Sequence, residues 1–232
     1  MLRLIYHGHA CFSLTDGFAD LLIDPFLKDN PLADVQPNEV NPTHLLVTHG
    51  HDDHLGDALE IAQRTGALLI APNELAHYCA YHGVKTAAMH LGGSRQFSFG
   101  KIKLTHAEHS SAIIDGAKII YTGAPCGFLI EMQGKTIYHA GDTGLFGDMK
   151  LIGDRHQLDY ALLPIGDNFV MGPEDAIEAA VMLQAKVTIP MHYDTFPLIA
   201  QDPYLYVHKL QERGLKGIVL KSGEKKELIA KK

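Results

Sequence analysis

An apolar stretch, Leu45-Leu46-Val47, runs directly into Thr48-His49-Gly50-His51-Asp52-Asp53-His54 and then into a helical pattern over 55–65. No other segment constrains the fold as strongly. Donors packed this densely belong at a strand end facing a crevice, because burying unpaired charge in a core is costly. In extended backbone alternate residues share a face, so the spacing predicts that His49, His51 and Asp53 converge. His54 should then point away from those three unless the chain turns. That geometry suits two adjacent metal centres better than one. Gly50 is read as letting the backbone pass close to an ion, and the mixed imidazole and carboxylate set suits Zn²⁺, Fe or Mn²⁺. A plain polar loop, with Asp52 or Asp53 capping the helix, is the weaker reading.

Around this segment, β-rich runs ending in turn residues occur at 2–7, 20–24, 43–48, 67–71, 102–106, 127–132, 135–139, 159–163, 186–190 and 216–220. Helical patterns occupy 55–65, 73–82, 145–154, 173–184 and 202–213. The fourth helix is the best marked, since Gly172 can cap, Pro173 suits the first helical position, and Glu174 and Asp175 complement the first-turn dipole. Asp202-Pro203 gives the fifth a similar start. So many strands interleaved with helices predict an α/β fold of two face-to-face sheets with helices outside, a single doubly wound sheet being the alternative. One domain over 1–232 is expected, and the similar Gly-Lys turns in 98–105 and 132–139 hint at two related halves, 1–115 and 116–232.

At 232 residues the chain can bury a sizeable core without a staple, so a metal here needs a chemical reason. A net charge of −7 with no basic stripe argues against nucleic acid and for a small-molecule partner. No run is apolar enough to span a membrane, and the N-terminus lacks a signal-like apolar region. A cytoplasmic location is expected, with homo-oligomerisation left open. Cys11, Cys79 and Cys126 are widely spaced and read as buried free thiols.

More candidate ligands sit at other strand ends: His106 and His109 after 102–105, Asp142 in Ala140-Gly141-Asp142-Thr143-Gly144, and His192 after Ile189-Pro190-Met191. Crevices beyond the carboxyl ends of strands are where open α/β sheets place sites. The ordered set, H-x-H-x-D-H followed by a downstream His, Gly-Asp and a last His, resembles the metallo-β-lactamase-fold hydrolases. Tyr6-His7-Gly8-His9-Ala10, Ile23-Asp24-Pro25, His109-Ser110-Ser111, His139-Ala140-Gly141-Asp142-Thr143 and Pro190-Met191-His192-Tyr193 are similar to their bacterial and archaeal group of uncharacterised metal-dependent hydrolases. A more distant similarity reaches ascorbate-6-phosphate lactonases and N-acyl phosphatidylethanolamine phospholipases D.

The resemblance implies a four-layer αβ/βα sandwich with its site at one edge of the two sheets. It implies that His49, His51 and His109 hold one metal, that Asp53, His54 and His192 hold a second, and that Asp142 bridges them. His109 is preferred to His106 because a small polar residue, Ser110, follows it as in the family. The cofactors expected are two divalent ions, Zn²⁺ first, with Mn²⁺, Fe or Ni²⁺ as alternatives. Such a pair lowers a bridging water's pKa from 15.7 toward ~7, and the resulting hydroxide is the expected nucleophile on a small ester, lactone, amide or phosphodiester, oriented by Asp53. Ser13, Ser110 and Ser111 lack a nucleophile-elbow context, which disfavours a covalent hydrolase. Cys126 lies outside the Gly-Asp motif, unlike the zinc cysteine of β-lactamases, and His51 stands where flavodiiron reductases carry an acid.

Three further residues are candidates for orienting a ligand or touching substrate. His9 could donate to a substrate or simply hold structure, Asp24 could orient a ligand histidine, and Asn168 could reach substrate from Gly166–Gly172. Phe169, Met171, Tyr193 and Phe196 could line an apolar wall. His139 is expected to turn away from the metals, and Glu224–Glu227 with Lys231-Lys232 to form a solvated end. The rival readings are a mononuclear non-haem iron dioxygenase on the same scaffold and a metal-binding sensor without turnover.

Overall fold

The computed structural model describes residues 1–228. Three antiparallel strands, β1 (Leu2–Tyr6), β2 (Phe12–Thr15) and β3 (Asp20–Ile23), are followed by β4 (His44–Leu46), α1 (Asp52–Leu55), α2 (Ala58–Thr65), β5 (Leu68–Pro72), α3 (Asn73–Tyr81) and β6 (Thr86–Met89). A hairpin then opens a second sheet with β7 (Ser94–Phe97) and β8 (Gly100–His106), and a separate hairpin pairs β9 (Ala112–Asp115) with β10 (Lys118–Tyr121). The second sheet continues through β11 (Cys126–Met132), β12 (Lys135–His139), α4 (Met149–Arg155), β13 (Tyr160–Pro164), α5 (Pro173–Leu183) and β14 (Val187–Met191). After α6 (Pro203–Glu212), β15 (Lys225–Leu228) returns to the edge of the first sheet beside β1.

The strand orders are β15-β1-β2-β3-β4-β5-β6 and β14-β13-β12-β11-β8-β7. In each sheet an antiparallel part passes into parallel strands: β3 to β6 in the first, where a long loop joins β3 to β4 and helices join the rest, and β12 to β14 in the second, joined by α4 and α5. Period-two alternation decides which side chain goes where. Leu21, Ile23, Leu46 and Ile70 enter one core with Ile102, Leu104, Phe128 and Ile130 of the other sheet. Their neighbours Leu22, Leu45, Val47, Leu69 and Ala71 pack instead against Ala58, Ile61, Leu75, Ala76 and Cys79 of α2 and α3. Burial on both faces is why β3, β4 and β5 read as continuous apolar runs. The result is an αβ/βα sandwich. Gly172 caps α5 with Pro173 in its first turn, and the Asp202 carboxylate accepts from the Tyr204 and Leu205 amides at the start of α6.

Several expectations change. The sheets divide at 90–93, between β6 and β7, and not near 115. The two Gly-Lys turns are both hairpins of the second sheet, so they do not mark corresponding halves. The run 216–220 makes only an isolated bridge, Gly217 with Thr188. Glu224–Glu227 is not a free tail: from Lys225 it pairs with β1, while Lys231 and Lys232 lie outside the described residues. Cys11, Cys79 and Cys126 are buried and free. No helix among the described residues is long and apolar enough to cross a membrane.

Candidate metal centre

Loops leaving the carboxyl ends of six strands meet at one edge of the sandwich. β1 delivers His9, β3 Asp24, β4 the segment 48–54, β8 His109, β12 Asp142 and β14 His192. The extended backbone persists only through His51, whose φ and ψ are −69° and 152°; α1 begins at Asp52. His49 and His51 therefore converge as the alternation predicts, but Asp53 leaves them. The turn also brings His54 back, its ring 4.2 Å from that of His49, against the expectation that it points away. Neither Asp52 nor Asp53 caps the helix; His51 holds that position with no side-chain cap.

His49 Nε2 lies 2.9 Å from His51 Nδ1, and His109 Nε2 lies 3.3 Å from the same atom. Three nitrogens on a tetrahedral zinc at ~2.0–2.1 Å stand about 3.3 Å apart, so this spacing is that of ligands around one ion. A second group comprises His9, Asp53, His54 and His192, and a third, His49, His54 and Asp142, joins the two; within each, the candidate ligand atoms lie within 4.8 Å of one another. Asp142 stands between the groups, Oδ1 3.1 Å from His54 Nε2 and Oδ2 3.0 Å from His192 Nε2 and 3.6 Å from His109 Nε2. The close contacts to His54 and His192 lack hydrogen-bond alignment: the buried atoms His54 Nε2, His192 Nε2 and Asp142 Oδ1 have no hydrogen-bond partner. Buried polar atoms are rarely left so. Several gathered around one carboxylate fit a site that binds metal.

The supporting contacts orient the rings. Asp24, fully buried, accepts from the Thr48 amide at 2.8 Å, from Thr48 Oγ1 at 2.7 Å and from His54 Nδ1 at 2.9 Å. Thr48 Oγ1 also lies 2.9 Å from His49 Nδ1. With its hydroxyl hydrogen given to Asp24, it accepts from His49 Nδ1–H. One carboxylate thus fixes two imidazoles with Nε2 facing inward, the arrangement ligand histidines commonly need. His9 Nε2 lies 3.2 Å from Asp53 Oδ2, and its Nδ1 lies 2.8 Å from Thr195 Oγ1. Donation from Nε2 to the carboxylate assigns Nδ1 as the acceptor.

Charge follows the same logic. Burial lowers the pKa of His9 to about 4, helped by His192 and opposed by the hydrogen bond to Asp53, so His9 is neutral at pH 7. Burial would raise Asp142, but His192 and His54 hold it well below the carboxylate range, and His54 and His9 do the same for Asp53. Burial would lower His54, yet Asp142 and Asp53 keep it well above its ordinary value. The carboxylates therefore draw positive charge into the cluster.

Other expectations are met or revised by position. His106 is an exposed strand residue facing Glu108, and His139 turns away, its Nε2 donating to Ala10 O at 2.9 Å. Asn168 is exposed on a turn and does not line the cavity; its neighbour Phe169 does, with Phe196 and Leu198. Met171 and Tyr193 are core residues. Gly50 answers to a different constraint from the one read in the sequence. A Cβ there would lie 2.3 Å from Thr122 Oγ1, and its amide donates to Ser111 Oγ at 3.0 Å. Thr48, Thr195 and Leu198 were not singled out; Thr48 directly precedes the histidine cluster, which was the available signal.

Residues 14–193 match the Beta-lactamase superfamily domain. The chain is 52% identical over 225 residues to a UPF0173 metal-dependent hydrolase of Bacillus licheniformis, covering 96% of this chain and 98% of that one. A UPF0173 metal-dependent hydrolase of Lysinibacillus sphaericus is 50% identical, with 97% and 98% covered. The solved structure of Igni18, a metallo hydrolase from Ignicoccus hospitalis, superposes with a TM-score of 0.88 at 36% identity, covering 98% of this chain and 99% of that one.

Proposed function

The chain belongs to the beta-lactamase superfamily, among its metal-dependent hydrolases, and from that premise we propose that it is a dinuclear hydrolase of small esters, lactones, amides or phosphodiesters. The observation that carries this reading is that the orphaned His54 Nε2 and His192 Nε2 both lie within 3.1 Å of the Asp142 carboxylate, whose Oδ1 is orphaned too. In this reading His49, His51 and His109 hold one ion, Asp53, His54 and His192 the other, and Asp142 both; Zn²⁺ is the first choice. Bound ions of this kind lower the pKa of water from 15.7 toward ~7 and polarise the scissile oxygen.

The chain's own groups do the rest. Asp53, kept ionised and acceptor-only, orients the attacking water and takes up its hydrogen bond. His9 fixes Asp53 through Nε2 and is itself held by Thr195. Asp24 and Thr48 keep the His49 and His54 rings from rotating. Ser13, 2.7 Å from His7 Nε2, with His7 Nδ1 2.7 Å from Asp34, has the spacing of a nucleophile relay. It sits mid-strand between β1 and β3, where ladder pairing engages the backbone amides an oxyanion hole would need. A small-molecule substrate and a cytoplasmic location complete the proposal.

The test is a screen of metal-loaded protein against bis-aryl phosphates, lactones, thioesters and β-lactams. Hydrolysis of one class that disappears in His54→Ala is expected. A single tightly held iron with oxygen consumption and no hydrolysis would overturn it in favour of a dioxygenase.

A further inference from the structure

Two cavities open onto the cluster and meet at Asp53 and Phe196. One, of about 470 Å³, has His51, His109 and Asp142 on one side and Phe169, Phe196 and Leu198 on the other. The second, of about 510 Å³, is walled by Phe26, Leu55 and Phe196 and rimmed by Asp29, Asp52 and Asp57.

Phe169 and Leu198 are 52% and 68% exposed, large apolar side chains left in water at the mouth of a polar cluster. Such exposure beside a site is what ligand contact recovers. The wall is also preformed. Asp167 and Asn168 hold left-handed φ values of 61° and 46°, the Asn168 amide donates to Asp167 Oδ1 at 2.9 Å, and the Met171 amide donates to Thr143 O at 2.9 Å. The turn carrying Phe169 is thereby tied to the residue after Asp142, so its ordering cost is met before any ligand arrives.

Charge selects as well. Among the described residues no lysine or arginine lines either cavity. Asp57 is engaged by the Leu27 and Lys28 amides, while Asp29 and Asp52 are exposed at the rim. At the rim an anionic substrate meets carboxylates with no lysine or arginine beside them, in a chain of net charge −7, so the approach opposes the attraction of the bound cations.

Resting on the hydrolase reading above, we propose that this centre acts on an uncharged or cationic ester, lactone or amide, with an apolar group seated against Phe169, Phe196 and Leu198, and that it selects against phosphodiesters and other anions. Carbonyl and phosphoryl substrates are thus separated by the walls around the centre and not by the ligand set.

The experiment uses zinc-loaded protein and p-nitrophenyl esters of matched reactivity. Across acetate, butyrate and hexanoate, kcat/KM is expected to rise about fourfold per methylene. In a Phe169→Ser, Leu198→Ser variant that retains its metal the series flattens, and hexanamide binding by calorimetry weakens about tenfold. The 6-aminohexanoyl ester is expected to match or exceed hexanoate, and the adipoyl monoester to fall at least tenfold, a penalty relieved by Asp29→Asn with Asp52→Asn. A flat chain-length series, a preferred anionic ester, or cleavage of bis(p-nitrophenyl) phosphate with no ester turnover overturns this inference and leaves the hydrolase reading standing. Failure to retain any of Zn²⁺, Mn²⁺, Fe or Ni²⁺ brings down the hydrolase reading itself.

Discussion

His7 and His54 are both buried, yet their surroundings are opposite. His7 has both ring nitrogens engaged, at 2.7 Å from Asp34 Oδ1 and 2.7 Å from Ser13 Oγ. His139 is closed in the same way, by Ala10 O and the Gly141 amide. His54 is satisfied only at Nδ1, by Asp24, and its Nε2 faces Asp142 without a hydrogen bond. A polar cluster that only holds a fold closes its hydrogen bonds, because each open one in a low-dielectric interior is costly. A cluster built for a ligand keeps several open toward one point and spends closed contacts on aiming them. Asp24 belongs to the closed kind and serves the open kind.

The sharpest way to break this contrast is Asp142→Ala. Zinc at a hundredfold excess over its Kd stabilises a protein by about 2.7 kcal/mol, which for a domain of this size raises Tm by roughly 5–11 °C. Calorimetry should show that rise in the natural protein and a smaller rise or none in the variant, with hydrolysis lost as well; an undiminished rise would erase the distinction. Next in size is Asp24→Asn, where the closed contacts that aim His49 and His54 are disturbed. Competition against a chromophoric chelator should show metal affinity down by about 10–100-fold, and unchanged affinity would mean that Asp24 aims nothing.

Ser13→Ala probes the closed side. Urea denaturation should show a loss of about 1 kcal/mol, with metal affinity and turnover unaltered; lost turnover would mark Ser13 as a nucleophile after all. The smallest expected effect concerns the thiols. Burial pushes Cys11 and Cys126 well up and Cys79 up to about 12, so all three stay protonated at pH 8, far below their native pKa values. Iodoacetamide at that pH should modify none of them in the folded protein and all of them in urea; rapid native labelling would show a cysteine open like the metal cluster.

Much of this was readable in the residues, for definite reasons. β3, β4 and β5 announce themselves because burial on two faces demands apolar runs, and α5 and α6 because their first turns carry Gly-Pro and Asp-Pro signals. β15, Lys-Lys-Glu-Leu, reads as a solvated tail because an edge strand needs only one apolar contact, here Leu228. β7, Ser-Arg-Gln-Phe, is hidden for the same reason. At the site, the ligand types and strand-end positions were legible, while the facing of Asp53 and His54 was not. Alternation fails where a helix starts, and the start at Asp52 has no side-chain cap to signal it. Gly50 was misread because its partner, Thr122, is far away in sequence and only tertiary packing brings it near. Phe169 and Phe196 line the cavity as their apolar character suggests, whereas Asn168, read as a contact from its polarity, stays on the exposed turn.

The most direct measurement is the zinc retained per folded chain after loading and gel filtration, read by plasma mass spectrometry. About two ions per chain, falling to one or none in Asp142→Ala, is the expected result. A chain that keeps none, or that keeps as many without Asp142 as with it, would contradict the assignment of these open nitrogens and oxygens to a shared pair of cations.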